Sequence, residues 1–285
     1  MRIWLTGSNG LLGNSTETEL LSSGHDVISL DRFTRDNDYI SKDEEIKDLD
    51  TLDWVIHYAS KTSIDSSWQK PFSIYHSNFA STLIALKIAK QSKSAFIYMS
   101  SYVYGVPKYK PVDESHPTEA INPYMISKLI GEELATKICD INKIPLLILR
   151  GSNIYGNKIF PGRLISDLML SHNENRPFEI NNPDPVRDYL YVKDFTSLIL
   201  KILESAPPEQ SILNVGSGEC FSNLEVAQIF HEVANKRSEI IRGKKSRPSD
   251  IPDASINVDL VKKTYNWSPN YPLRKGLEDL LLDDA

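Results

Sequence analysis

Arg2-Ile3-Trp4-Leu5-Thr6-Gly7-Ser8-Asn9-Gly10-Leu11-Leu12-Gly13 is the stretch that decides the fold. A short apolar run ends in a glycine turn, and the turn opens a segment, Leu11–Ser23, that reads as a helix. Glycines at this spacing let the backbone turn sharply, approach a pyrophosphate closely and seat the helix on the strand. The helix N-terminus then offers N–H groups and a partial positive charge to phosphate oxygens. Gly7, Asn9, Gly10, Leu11 and Gly13 are the expected cradle of a dinucleotide. A glycine triplet alone is a weak signal, because turns collect glycine for their own reasons. Here a strand precedes it, a helix follows, and Asp31 closes the next apolar run, 18 residues past Gly13. A carboxylate there accepts hydrogen bonds from both ribose hydroxyls and repels a 2′-phosphate. Asp31 therefore favours NAD, while the adjacent Arg32 keeps NADP as the less favoured choice.

Outward from that turn, Arg2–Thr6, Asp26–Leu30, Trp54–His57, Ala95–Ser100 and Leu146–Arg150 read as strands buried on both faces. Leu11–Ser23, Phe79–Ser92 and Tyr124–Ile141 read as helices. Such alternation implies an α/β fold of the Rossmann type, a doubly wound parallel sheet with ligands at the carboxyl ends of its strands. One unit reads as abbreviated, because Asp48-Leu49-Asp50-Thr51-Leu52 leaves no room for a helix before Trp54. Beyond residue 152, prolines break the pattern into short elements. The expected organisation is a dinucleotide-binding domain over 1–152, to which 184–217 returns, and a smaller C-terminal α/β lobe for substrate over 153–183 and 218–285.

The 285 residues are 40% hydrophobic and 25% charged, the balance of a soluble globule. No apolar run reaches the roughly 18 residues of a membrane span. Met1–Gly7 also meets a glycine turn before a signal-peptide apolar core could form. Cys139 and Cys220 lie far apart without a CxxC partner, which argues against a zinc site or disulfide framework and fits a reducing cytoplasm. The net charge of −6 opposes a phosphate backbone, so nucleic acid is not an expected partner. Six basic residues crowd Lys236–Arg247, but no aromatics interleave them, and the segment reads as a solvated loop. His57 has no second ligand at metal spacing and reads as structural. The run Asn14–Glu19 is unusually polar for a helix on a cofactor domain, with no functional reason legible in it.

Tyr124 and Lys128 stand one helical turn apart on a common face. A phenol titrates near pH ~10, too high for a good base at neutrality. An ammonium beside it, with the positive charge of an oxidised nicotinamide, favours the phenolate. Ser100 ends a buried run in Tyr98-Met99-Ser100-Ser101-Tyr102-Val103-Tyr104-Gly105, where a hydroxyl points towards a cofactor cleft. Each feature is common by itself. Glycine turn, Ser100 and Tyr124/Lys128, in this order, are jointly hard to obtain by accident.

Together they resemble the extended short-chain dehydrogenase/reductases, the NAD-dependent epimerase/dehydratase group that includes the UDP-glucose 4-epimerases. Further motifs support the resemblance over nearly the whole chain. Asp48-Leu49 is similar to the pair that contacts adenine, and His57-Tyr58-Ala59-Ser60-Lys61 to the fourth-strand motif lining the cofactor. Lys61 matches a lysine near the cofactor's phosphates and ribose. Ser67-Trp68-Gln69-Lys70-Pro71 through Asn78 resembles the lead into the next long helix. Arg150-Gly151-Ser152-Asn153-Ile154-Tyr155-Gly156 resembles a loop whose asparagine, here Asn153, holds a sugar diphosphate. The segments around Arg187 and around Arg247-Pro248-Ser249-Asp250 resemble two arginine motifs that grip the nucleotide.

The resemblance implies that Tyr124 takes a proton from a sugar hydroxyl, that Ser100 hydrogen-bonds the same oxygen, and that Lys128 holds the ribose and tunes Tyr124. It also implies a nucleotide-diphosphate-sugar substrate, contacts from Ser101 and Tyr102, and a homodimer through the helices at Phe79–Ser92 and Tyr124–Ile141. In 4,6-dehydratases an Asp–Glu pair follows the residue matching Ser100. Ser101-Tyr102 stands there instead, which argues against dehydration. A UDP-sugar 4-epimerase is the favoured reading. The alternative is an NAD(P)H-dependent reductase of dTDP-, GDP- or CDP-linked 4-keto-6-deoxy sugars, and the remote one a non-catalytic NAD-binding sensor.

Overall fold

The computed structural model describes residues 1–30, 51–235, 240–243 and 250–283. Asp31, Arg32, Asp48, Leu49 and Arg247 lie outside the described residues, as do the abbreviated unit at 48–50 and most of the basic stretch.

The elements begin with β1 (Arg2–Thr6), α1 (Leu11–Ser22), β2 (Asp26–Leu30), β3 (Trp54–His57), α2 (Ile64–Gln69), α3 (Pro71–Ser92) and β4 (Ala95–Met99). There follow α4 (Pro123–Asn142), β5 (Leu146–Gly151), β6 (Asn153–Tyr155), α5 (Leu164–Asn173), β7 (Phe178–Ile180), β8 (Val186–Tyr191) and α6 (Val192–Glu204). The chain closes with β9 (Gln210–Val215), β10 (Cys220–Ser222), α7 (Asn223–Val233), β11 (Ile240–Arg242), β12 (Asp253–Ala254), α8 (Asp259–Tyr265) and α9 (Leu273–Asp283).

A six-stranded sheet runs in the order β2-β1-β3-β4-β5-β9, with its first five strands paired in parallel. Every residue of β3, β4 and β5 is buried, as continuous apolar runs demand. The chain moves from β1 outward to β2 and then returns to the other side of β1, so the strand order reverses between β1 and β3. Ligands of doubly wound sheets sit outside the carboxyl ends at such a reversal. Here those ends are Thr6 and His57, which stand opposite each other in register. Val55, Ala85, Leu86, Phe96, Tyr98, Ala135, Leu146 and Ile148 pack into one apolar cluster that joins α3 and α4 to this sheet.

Helix α3 begins at Pro71, eight residues before the expected start. Proline suits a first helical turn, where its missing N–H has no partner to lose. The polarity of α1 also finds its reason. Thr16 is buried and donates to the Tyr58 phenol at 3.4 Å, and Glu17 accepts from Ser29 at 2.6 Å.

The chain divides into two compact units, one of Met1–Val103, Thr118–Gly151 and Leu198–Leu213, the other of Tyr104–Pro117, Ser152–Ser197 and Asn214–Ala285. This differs from the expected boundaries, because residues 184–197 and 214–217 belong to the second unit and 104–117 join them. The physical reason is strand pairing: β8 bonds β10, β12 and β6, none of them in the six-stranded sheet. Within the second unit Val112 bridges Ile256, and buried Asp194 accepts from the backbone of Asn270 and Tyr271. A two-stranded sheet of β7 and β11 completes that unit's strands among the described residues.

Candidate active site

The glycine turn is built by close approach. Gly7 has φ +76°, the left-handed region, and a Cβ there would stand 2.8 Å from the Ala59 nitrogen. A Cβ at Gly13 would stand 2.0 Å from the Gly7 carbonyl oxygen, so only glycine lets α1 sit this close to the end of β1. Gly10 donates its N–H to that same carbonyl at 2.9 Å and caps α1 without a side-chain acceptor. No acidic residue occupies the first turn. The helix end is thus suited to an anion, and the turn fits a pyrophosphate. Leu11 is buried below the turn, and Asn9 is exposed at its rim.

Beside the turn, Thr6 Oγ1 lies 2.8 Å from His57 Nδ1 and accepts the Ala59 N–H at 3.1 Å. The other His57 nitrogen meets Thr82 Oγ1 at 3.2 Å, and the ring stacks on Phe96 and Tyr98. Burial, helped by the Lys128 charge, lowers its pKa to about 3, so His57 is a neutral packing residue. Tyr58 is buried with its phenol pushed above the ordinary range by desolvation. Asn78 is buried and accepts the Lys61 N–H at 2.8 Å, while its amide nitrogen donates to the Lys61 carbonyl and to Ser127 Oγ. Asn78 thereby pins the loop after β3 to α4. The Lys61 ammonium is exposed and donates to Ser73 at 3.0 Å.

Helix α4 starts at a side-chain cap, where Asn122 Oδ1 accepts the Met125 N–H at 2.9 Å. Tyr124, Lys128 and Glu132 follow at successive turns and are all buried. Lys128 Nζ donates to the Met99 carbonyl at 2.8 Å and stands 5.3 Å from the Tyr98 ring centroid and 6.0 Å from that of Tyr124. Desolvation lowers the Lys128 pKa to about 7, against a smaller opposing pull from the Glu132 carboxylate. Ser100, the first residue after β4, donates its hydroxyl to Glu132 Oε1 at 2.5 Å. Arg150, near the end of β5, donates Nε to Oε1 at 3.0 Å and Nη2 to Oε2 at 2.7 Å. Ser100, Tyr124 and Lys128 thus converge where α4 crosses the end of β4. Glu132 and Arg150 belong to the same cluster and were not among the expected site residues. The signal for Glu132 was its place one turn beyond Lys128.

Ser101 and Tyr102 continue from Ser100 and are half-buried. Asn153, Arg187 and Asp250 lie in the second unit. Asn153 is exposed on β6. Arg187 donates Nη2 to Asp250 Oδ1 at 2.5 Å and Nη1 to the Val186 carbonyl at 2.8 Å. Asn182 donates to the other Asp250 oxygen. The two expected substrate residues are therefore each other's partners, and Asp250 orients the guanidinium.

A Rossmann-type sheet with a glycine cradle, beside a buried Ser–Tyr–Lys cluster, is the frame of a dinucleotide-dependent enzyme. The chain belongs to the NAD dependent epimerase/dehydratase family, whose model matches residues 3–216. NAD is its cofactor. Bovine (Bos taurus) UDP-glucose 4-epimerase is 26% identical over 333 residues, covering 98% of this chain and 95% of that one. The structure of UDP-glucose 4-epimerase from Bifidobacterium longum, in complex with NAD+ and UDP, is 25% identical at a TM-score of 0.85, over 99% of this chain and 97% of that one. The structure of UDP-glucose 4-epimerase from Thermotoga maritima with UDP-glucose reaches a TM-score of 0.90 at 21% identity, over 99% and 98%.

Proposed function

We propose that this protein is a cytoplasmic nucleotide-sugar 4-epimerase acting on UDP-sugars. NAD, held at the glycine turn, would supply a hydride acceptor and, once reduced, a hydride donor. Tyr124 takes the proton from the C4 hydroxyl and later gives it back, Ser100 hydrogen-bonds the same oxygen, and Lys128 holds the ribose. The observation that carries this reading is Lys128, an ammonium buried against both Tyr98 and Tyr124. An ammonium this close favours the phenolate that proton abstraction needs. Ser101-Tyr102 supports epimerisation over dehydration, since neither side chain can serve as the carboxyl acid or base of an elimination. Arg187, steadied by Asp250, suits a diphosphate through its bidentate donors, and Asn153 and Arg247 are proposed to share in holding the nucleotide-sugar. The test is interconversion of UDP-glucose and UDP-galactose by purified protein, followed by separating the epimers.

We also propose a homodimer through α3 and α4. Phe72, Phe79, Ile126 and Ile130 leave apolar side chains exposed on these helices, Phe72 at 83%. Tyr75, His76, Phe79, Ser127 and Ile130 line a groove of about 240 Å³ there. Light scattering should give twice the 32.3 kDa chain mass, and a monomer mass would overturn this part.

A further inference from the structure

Glu132 and Arg150 form a fully buried ion pair, their side chains only 8% and 6% exposed. Such a pair adds little stability over well-packed apolar residues of similar size, so its placement calls for another reason. The reason lies in its third partner. Oε1 of Glu132 accepts from Ser100 Oγ at 2.5 Å and from Arg150 Nε at 3.0 Å, and Oε2 accepts from Arg150 Nη2 at 2.7 Å. A serine hydroxyl has one hydrogen to give and lone pairs to receive with. While that hydrogen rests on Glu132, Ser100 presents lone pairs only.

We propose that Glu132, clamped by Arg150, is a positioning residue that sets the direction of the Ser100 hydroxyl during the reaction. The proposal rests on the reading of Ser100 as the hydroxyl that meets the sugar oxygen. A C4 alcohol has one hydrogen, which in the reactive pose points at Tyr124, whereas a C4 ketone has none and can only accept. The two halves of an oxidation–reduction cycle therefore ask different things of Ser100. While the alcohol gives its hydrogen to Tyr124, the Ser100 hydrogen stays on Glu132. As the ketone forms, the hydroxyl turns and donates to its oxygen. Oε1 keeps the Arg150 Nε bond in that second state, so no buried acceptor is left unpaired. The turn makes and breaks no covalent bond, and the proton stays on Oγ throughout.

The test is a double-mutant cycle between Glu132→Gln and Ser100→Ala, with the paired apolar variant Glu132→Met/Arg150→Met as a folding-safe control. Glu132→Gln should lower kcat about tenfold or more in the wild-type background, with KM for the UDP-sugar changed less than about threefold. In the Ser100→Ala background the further loss should be under about threefold. The paired variant should fold and still lose kcat. Equal losses in both backgrounds, or a folded paired variant with full kcat, would overturn the proposal. A second readout needs neither substrate nor cofactor. In serine-labelled protein, NMR should find one protected, downfield hydroxyl proton that disappears in Ser100→Ala and moves upfield or exchanges rapidly in both Glu132 variants. A resonance unmoved by the Glu132 variants would overturn the proposal even where no turnover is found. Absence of wild-type epimerisation, by contrast, counts against the reaction assigned above and leaves the NMR result to decide the role of Glu132.

Discussion

Tyr98 and Gly131 compete for one space: a Cβ on Gly131 would stand 1.9 Å from the Tyr98 phenol oxygen. The gap in α4 lets Tyr98 extend from β4 beneath the helix, where its ring carries the Lys128 ammonium at 5.3 Å. Tyr98 cannot step aside cheaply, because it is buried and stacked on His57. Helix propensity alone would make Gly131→Ala stabilising by about 1 kcal/mol. Overlap decides the sign the other way. Gly131→Ala should destabilise by about 1–3 kcal/mol and lower kcat by displacing Lys128. A variant with unchanged or raised Tm and unchanged kcat would contradict this packing.

Lys128 carries a stability cost that depends on pH. Its folded value is about 7, below the ordinary 10.5, with burial as the main cause. Below pH 7 the folded and unfolded chains both hold the proton, and the burial penalty is at full size. Between 7 and 10.5 the unfolded chain binds more protons, so this group's contribution rises with pH until both states are neutral. Wild type should therefore gain stability relative to Lys128→Met as pH is raised from about 6.5 to about 9.5. Parallel Tm curves for the two proteins across that range would show that Lys128 does not titrate there.

The parts legible in the sequence are those whose chemistry is local. The glycine turn needs only neighbours along the chain, and Tyr124 and Lys128 share a face through helical spacing alone. Strands β3, β4 and β5 announce themselves because burial on both faces forces continuous apolar runs. Glu132 and Arg150 were hidden because their meaning is a contact between a helix and a strand. Arg150 reads only as a charge closing an apolar run until Glu132 is found opposite it. The pairing of β8 with β10 and β12 was hidden for a similar reason. Strands of three and two residues are too short to show a period, so residues 184–197 looked like a return to the first sheet.

Arg187 and Asp250 make a separable prediction. Arg187→Ala should weaken UDP binding by about 1.5–3 kcal/mol, the worth of a charge-assisted hydrogen bond. Asp250→Asn should weaken it less, since the guanidinium keeps its charge and loses only its steadying partner. Titration calorimetry with UDP and with NAD measures both. NAD affinity that falls in step with UDP affinity would contradict the assignment of Arg187 to the nucleotide-sugar.

We propose that Asp31 sets the cofactor choice. NAD should bind at least about tenfold more tightly than NADP, a difference of roughly 1.4 kcal/mol. Asp31→Ser should narrow that ratio. Equal affinities in the wild-type protein would mean that Arg32 accommodates the 2′-phosphate, which suits a reductase better than an epimerase.

The reaction proposed for this protein is a closed hydride cycle at C4, run by Ser100, Tyr124 and Lys128 on a UDP-sugar. Its most direct measurement is to incubate the purified protein with UDP-glucose, separate the epimers and follow nicotinamide absorbance at the same time. UDP-galactose should form towards equilibrium with no stoichiometric production or consumption of NADH, and Tyr124→Phe should lose nearly all turnover. No epimer from UDP-glucose, UDP-galactose or their N-acetyl forms, together with oxidation of one NAD(P)H per 4-keto-6-deoxy nucleotide sugar supplied, would contradict it.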